Sequence, residues 1–283
     1  MITYQKCTEV SKDAIFQAFQ IGFSDYMIRL EMSEDFFLQR FFGPEGNRFE
    51  YSVIALDEGK PVGVNLGGIK LFEGVKTLRC GALCIHPDYR GMGISHQLFD
   101  LHKEIAVQND CKQMFLEVIV GNDRAINFYK KKGYEKVYDL VYYSHNSPHE
   151  IQGTLPDGYR IEAMSLDALE TLRCLAPDVH INWQNDFDYI RQTSDQMHYG
   201  ILKGEQLSGG LSIHPRGKVS FLWVQPELRH QGLGRALVQH AIAQLNIQKL
   251  ALSFPNNANL LGFVKHLNFT KDAISQFEMY QTL

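Results

Sequence analysis

The stretch Ile85-His-Pro-Asp-Tyr-Arg90-Gly-Met-Gly93-Ile-Ser95 returns later in the chain as Val224-Gln-Pro-Glu-Leu-Arg229-His-Gln-Gly232-Leu-Gly234. In each copy a Pro stands two residues after an apolar strand residue and an acidic residue follows it. Arg-x-x-Gly-x-(Ser/Gly) then opens a helical pattern. Arg90 and Arg229 lie 139 residues apart, which is a domain's length, so the repeat reads as two copies of one fold rather than a short solenoid period. A glycine-rich turn between a strand and a helix gathers free backbone N–H groups where the helix dipole is positive, and so makes an anion site. The sequence carries that site twice.

The bulk numbers agree. At 283 residues the chain is long for one core and comfortable for two. A composition of 45% hydrophobic and 21% charged residues excludes disordered and fibrous classes. The formal net charge of −4 argues against a broad nucleic-acid surface, which leaves small-molecule or protein substrates. No apolar run is long enough to span a bilayer, and Met1-Ile-Thr-Tyr-Gln-Lys lacks a signal-peptide layout, so a cytoplasmic protein without membrane association is expected. The five cysteines are odd in number and show no C-x-x-C spacing, hence are expected as free, mostly buried thiols. The histidines are scattered with no metal-site spacing, so no metal is expected. Monomer and homodimer are both compatible with two like domains in one chain.

Three strand patterns, over residues 51–56, 61–71 and 75–85, are separated by the turns Asp57-Glu-Gly-Lys60 and Glu73-Gly74, which favours an antiparallel meander. After the glycine turn come a helix over 92–107, a strand over 113–120, a helix over 123–132 and a strand over 134–143. His145-Asn-Ser-Pro-His-Glu150 reads as a linker, and the same order of elements follows it. An α+β fold is expected, with two tandem domains at residues 1–145 and 151–283. Each should hold a mixed, mostly antiparallel sheet flanked by helices.

With those residues in hand, both halves resemble the GNAT superfamily of acyl-CoA-dependent N-acyltransferases over essentially the whole chain. The first copy adds Leu116-Glu117-Val118 followed by Asn122-Asp-Arg-Ala125-Ile-Asn-Phe-Tyr129-Lys-Lys-Lys-Gly133-Tyr134, which resembles the family's second motif at every position. The resemblance implies three-layer α/β domains that bind acetyl-CoA. Cys84 and Ile85 would offer backbone to its pantetheine arm, while Arg90, Gly91, Met92, Gly93, Ile94 and Ser95 would hold its pyrophosphate. Asn122 and Tyr129 would also touch the cofactor. Val224, Arg229, Gln231, Gly232 and Gly234 would repeat the cradle. Ser95 departs from the Gly or Ala usual in the family. Arg90 and Arg229 have two roles open to them, adding charge at the phosphates or bracing the turn.

Acyl transfer to an amine needs a base, an oxyanion donor and an acid for the leaving thiolate. The resemblance implies Glu117 as base, directly or through water, Tyr129 as acid, and a backbone N–H near Ile85 as oxyanion donor. Each has a plainer alternative: Glu117 as a strand residue or structural partner, Tyr129 as a packing residue beneath the cofactor. Phe23, Asp25 and Tyr26 would meet the amine substrate, or else pack into the sheet. In the second copy, pairing Tyr134 with Phe269 sets Asn257 opposite Asn122, Val264 opposite Tyr129 and Leu252 opposite Glu117. The reading is therefore N-acetylation of a primary amine, on a small molecule or peptide, in the N-terminal copy. The C-terminal copy would be degenerate in chemistry. An acyl-CoA sensor or scaffold, or catalysis by the C-terminal copy, are the competing readings.

Overall fold

A computed structural model describes residues 1–283, which form two compact units. The first unit comprises Met1–Val137 with Phe277–Leu283, and the second comprises Tyr138–Gln276.

The first unit opens with β1 (Ile2–Lys6), α1 (Lys12–Gly22) and α2 (Glu34–Phe41), followed by β2 (Arg48–Asp57), β3 (Lys60–Phe72) and β4 (Val75–Ile85). Then come α3 (Ile94–Gln108), β5 (Gln113–Ile119), α4 (Asp123–Lys131) and the start of β6 (Glu135–His145). Ser11, Ser33 and Asn122 begin α1, α2 and α4 by accepting the N–H of Ala14, Phe36 and Ala125, each satisfying a donor the helix cannot. β1 to β4 pair antiparallel, and β5 runs parallel to β4. One face of the sheet packs Val64 and Leu66 against Ile15, Phe19 and Phe37 of α1 and α2. The other packs Leu78, Leu116 and Val118 against Leu98 and Phe99 of α3 and Ile126 of α4. This is the expected three-layer domain.

The second unit repeats it with β7 (Tyr159–Ala163), α5 (Leu166–Cys174), α6 (Phe187–Gln192), β8 (Met197–Lys203), β9 (Gln206–Ile213) and β10 (Lys218–Val224). It continues through α7 (Leu233–Leu245), β11 (Leu250–Pro255), α8 (Ala258–His266) and β12 (Thr270–Thr282). No helix is long and apolar enough to cross a membrane.

The two copies have exchanged their last strands. β6 ends the first copy, yet its residues 140–145 pair antiparallel with residues 250–255 of β11, and Tyr143 joins Leu252 and Phe254 in the second unit's core. β12 ends the second copy, yet it lies beside β5, and Met279 is fully buried among the first unit's Leu116, Val118 and Tyr134. The expected division at residues 145 and 151 follows the repeat in the chain. The packing division falls instead at 137/138 and 276/277, because a strand belongs to the sheet that pairs its backbone and buries its apolar face.

One irregularity, present in both units, opens the sheet. β4 pairs with β5 only through Thr77, Leu78 and Arg79. The β3 ladder then skips Gly81, since Gly67 opposes Cys80 and Leu66 opposes Ala82. β10 pairs with β11 only through Lys218 and Val219, and its ladder with β9 skips Ser220. An extra residue bends its strand and ends the pairing, so β4 parts from β5, and β10 from β11, in a wedge.

His102 of α3 lies fully buried against Gly67, where an added Cβ would sit 2.9 Å from the imidazole Cε1, and neither ring nitrogen has a hydrogen-bond partner. Burial lowers its pKa to about 3. As pH falls below about 6.5 the unfolded chain takes up a proton that the folded one refuses until near pH 3, so stability is lost across that window. The loss reaches about 2 kcal/mol at pH 5. Urea unfolding of His102→Leu between pH 7 and 5 should show a shallower fall than the parent by that amount; parallel pH curves would refute it.

Candidate active site

Each glycine turn sits at the mouth of its wedge. Gly93 starts α3 with φ 83° and Gly232 starts α7 with φ 84°, the left-handed region that glycine enters without strain. Neither helix has a side-chain cap, so its first N–H groups are available to an anion. A Cβ added at Gly91, Gly93 or Gly232 would meet nothing within 4 Å, which leaves room above the turn for a phosphate group. Gly234 does something different. Its added Cβ would stand 3.3 Å from the Phe263 ring, so it makes room for α8 rather than for a ligand. Ser95 occupies the same place in the first unit. His230 stands where the first turn has Gly91 and takes a left-handed φ of 63°.

The arginines brace the turns. Arg90 Nε donates to the Ile85 carbonyl at 3.1 Å, and Arg229 Nε donates to the Val224 carbonyl at 3.0 Å. In the first unit the rest of the guanidinium is engaged as well, with Asp25 at 2.5 and 2.6 Å and the Gly22 carbonyl at 3.2 Å. The hydrogen bond from Arg90 holds the Asp25 carboxyl below the ordinary carboxylate range. The loop after α1 is thereby tied to the glycine turn.

The other residues of that loop point the same way. Phe23 packs edge-on to Tyr26, centroids 4.9 Å apart, and also contacts Phe19. Tyr26, whose pKa is raised by burial, lies near the Asn122 side chain, and its charge would be felt by Tyr129. Tyr129 itself is buried, its hydroxyl 3.8 Å from Cys80 Sγ, one residue before the bulge. Burial above all raises the phenol pKa well above its usual value. Phe23, Asp25, Tyr26, Arg90, Asn122 and Tyr129 thus converge on the first wedge. Cys84 is a packing residue on the side-chain level: its buried Sγ lies 3.6 Å from the Ala18 carbonyl, and burial pushes the thiol pKa up.

Glu117 is placed elsewhere. Leu116 and Val118 share a core with Tyr129, so strand alternation turns Glu117 to the opposite face. There its Oε2 accepts from Arg79 Nε at 3.1 Å and Nη2 at 2.6 Å, while Arg79 Nη1 reaches Glu45 Oε2 at 2.8 Å and its carbonyl at 3.1 Å. All three side chains are buried. Burial raises the Glu117 pKa despite Arg79, helped by the neighbouring carboxylates of Glu278 and Glu45. Glu117 is an ion-pair partner here, on the face of β5 opposite the core that holds Tyr129.

In the second unit the wedge is an open cleft of about 1020 Å³, bounded by the turn, the end of β10, the start of α8 and the segment between α5 and α6. Fully buried Val264 takes the place of Tyr129. The ladders also correct the pairing of Glu117 with Leu252. Arg79 opposes Phe115 two residues before Gly81, and Lys218 opposes Ala251 two residues before Ser220. Ser253 therefore holds the position of Glu117, because the link from β5 to α4 is one residue longer than that from β11 to α8. Around Ser253 the cleft gathers Asn182, Asn185, Ser220 and Trp223, none of which the sequence reading singled out. Ser220 was within reach, since it stands 139 residues after Gly81 as Arg229 does after Arg90. The two asparagines lie in a loop with no periodic signal.

The sequence profile of the Acetyltransferase (GNAT) family matches residues 13–134 and again 165–269. Among curated relatives, N-alpha-acetyltransferase 60 of Danio rerio is 32% identical over 81 residues, covering 28% of this chain and only 31% of that protein. N-alpha-acetyltransferase 30 of Schizosaccharomyces pombe is 28% identical over 119 residues, 40% of this chain and 77% of that protein. Among solved structures, a tandem GNAT protein from the clavulanic acid biosynthesis pathway superposes with a TM-score of 0.72 at 13% identity, covering 100% of this chain and 98% of that one. A GCN5-related N-acetyltransferase from Sphaerobacter thermophilus gives 0.70 at 12% identity, covering 100% and 95%.

Proposed function

As the chain belongs to the acetyltransferase (GNAT) family, we propose that it moves an acetyl group from acetyl-CoA to a primary amine of a small molecule or peptide, and does so in the first unit. The observation that carries this reading is the Tyr129 phenol at the first wedge, where the second unit has Val264. Acetyl-CoA, when bound, supplies the acetyl thioester. The uncapped N-terminus of α3 and the backbone of Gly91 to Ser95 would hold its phosphates, Cys84 and Ile85 its pantetheine arm, and Asn122 would border it.

Tyr129 keeps its proton at every working pH, since its pKa is raised, and can give it to a departing thiolate. The amine side is different. Glu117 is taken by Arg79 and Asp25 by Arg90, so neither is a free base. An acceptor of low pKa then has the advantage. Near pH 7.5 roughly a third of an α-amino group is neutral, against about one in a thousand lysine side chains. The relatives' names, N-alpha-acetyltransferases, favour the same acceptor.

The two turns allow a direct test, because a Glu at either positive-φ glycine strains the turn and sets a negative charge against the phosphates. Gly93→Glu should cut thiol release with an amine panel by about a hundredfold or more, while Gly232→Glu keeps most of it. The opposite pattern would move catalysis to the second unit.

A further inference from the structure

The second unit's cleft has an inner chamber that the phosphate-type turn does not account for. Where β10 parts from β11, Ser220, Trp223 and Ser253 share the cleft wall with Asn182 and Asn185. Asn182 is 1% exposed, and neither its Nδ2 nor its Oδ1 has a hydrogen-bond partner. Asn185, 4% exposed, donates Nδ2 to the Ser253 carbonyl at 2.8 Å and leaves Oδ1 unpaired. Trp223 Nε1–H is likewise buried and unpaired. Buried polar atoms are nearly always satisfied in native proteins, so a cluster of exceptions in the wall of a cavity points to a ligand that completes them.

The chemistry of that ligand follows from what the wall contains. No residue lining the cleft is an aspartate or glutamate, so nothing there would neutralise a buried ammonium. Of the cleft's arginines, Arg173 donates to the carbonyls of Ala176 and Pro177, Arg229 braces the glycine turn through the Val224 carbonyl, and Arg235 contacts His266. Among the wall's amides and indole, that leaves two unpaired donors, Asn182 Nδ2 and Trp223 Nε1, and two unpaired acceptors, Asn182 Oδ1 and Asn185 Oδ1. A carboxamide sets an acceptor and a donor side by side and can meet Asn182 edge to edge. We propose that this chamber binds an uncharged molecule carrying a carboxamide or peptide group. It holds that molecule without acetylating it, as Val264 stands where the first unit has its phenol.

The test uses the full chain without cofactor and N-acetylglycinamide as the neutral probe, with glycinamide as its cationic and N-acetylglycine as its anionic counterpart. Binding is followed by saturation-transfer NMR on each probe and by the Trp223 indole resonance. The neutral probe should bind saturably, with a Kd on the order of millimolar for so small a molecule, and shift that resonance. Asn182→Leu should weaken it at least tenfold. Trp223→Phe, which keeps an aromatic ring in the wall and loses only the donor end, should weaken it several-fold and carries the test if the first variant fails to fold. The proposal is overturned if no saturable binding occurs, if either charged counterpart binds as tightly, or if the folded variants bind unchanged.

Discussion

On the proposed function, Tyr129→Phe should lower kcat by about a hundredfold to ten-thousandfold, the range lost when a positioned general acid is removed, with KM for acetyl-CoA and for the amine little changed. The distinction matters because Tyr129 is also a core residue, packed with Phe128 and Tyr134. The phenylalanine ring keeps those contacts and gives up only a hydroxyl whose partner is a thiol 3.8 Å away, so the unfolding midpoint should barely move. A matched fall in kcat and kcat/KM marks an interaction made in the transition state alone. A KM rise at constant kcat would instead make Tyr129 a packing residue beneath the cofactor. The raised phenol pKa adds a pH signature: the proton is retained through the neutral range, so any rise of rate with pH follows the acceptor amine, near 8 for an α-amino group.

Arg79→Met should destabilise the protein by about 3–5 kcal/mol, the usual consequence of removing one partner from a buried ion pair. Arg79 is the cation between Glu117 and Glu45, both buried, with Glu278 of β12 close enough to be felt by Glu117. Without it these carboxylates face one another in a dry environment. Adding Glu117→Gln to the variant should recover part of the loss, because a neutral amide needs no counter-charge. Urea unfolding of the two single variants and the double variant measures the coupling. Purely additive effects would mean that Glu117 does not depend on Arg79. In that case its place opposite the wedge would again be open to a proton-transfer role.

Much of this was legible in one dimension. The doubled turn predicts two domains of one topology, and both wedges, both αL glycines and both bracing arginines stand where the repeat puts them. The reading of Tyr129 against Val264 held in space because the helix caps Asn122 and Asn257 fix the register of α4 and α8. The pairing of Glu117 with Leu252 failed by one residue, since a loop-length difference between a strand and a helix is invisible until the strand's hydrogen bonds are seen. Asp25 looked like a site for a cationic amine. Its partner turned out to be an arginine 65 residues away.

By itself the sequence determined the fold, its duplication and the turns, because these rest on local things: hydrophobic period, capping residues, and glycines at positions that require positive φ. Only the tertiary structure decided which strand completes which sheet, that Glu117 is held by Arg79, and that the second unit's cleft is lined by amides and no carboxylates. Those outcomes depend on which buried groups meet across distances the chain does not encode locally, where the cost of an unpaired charge or an unpaired strand edge selects the partner.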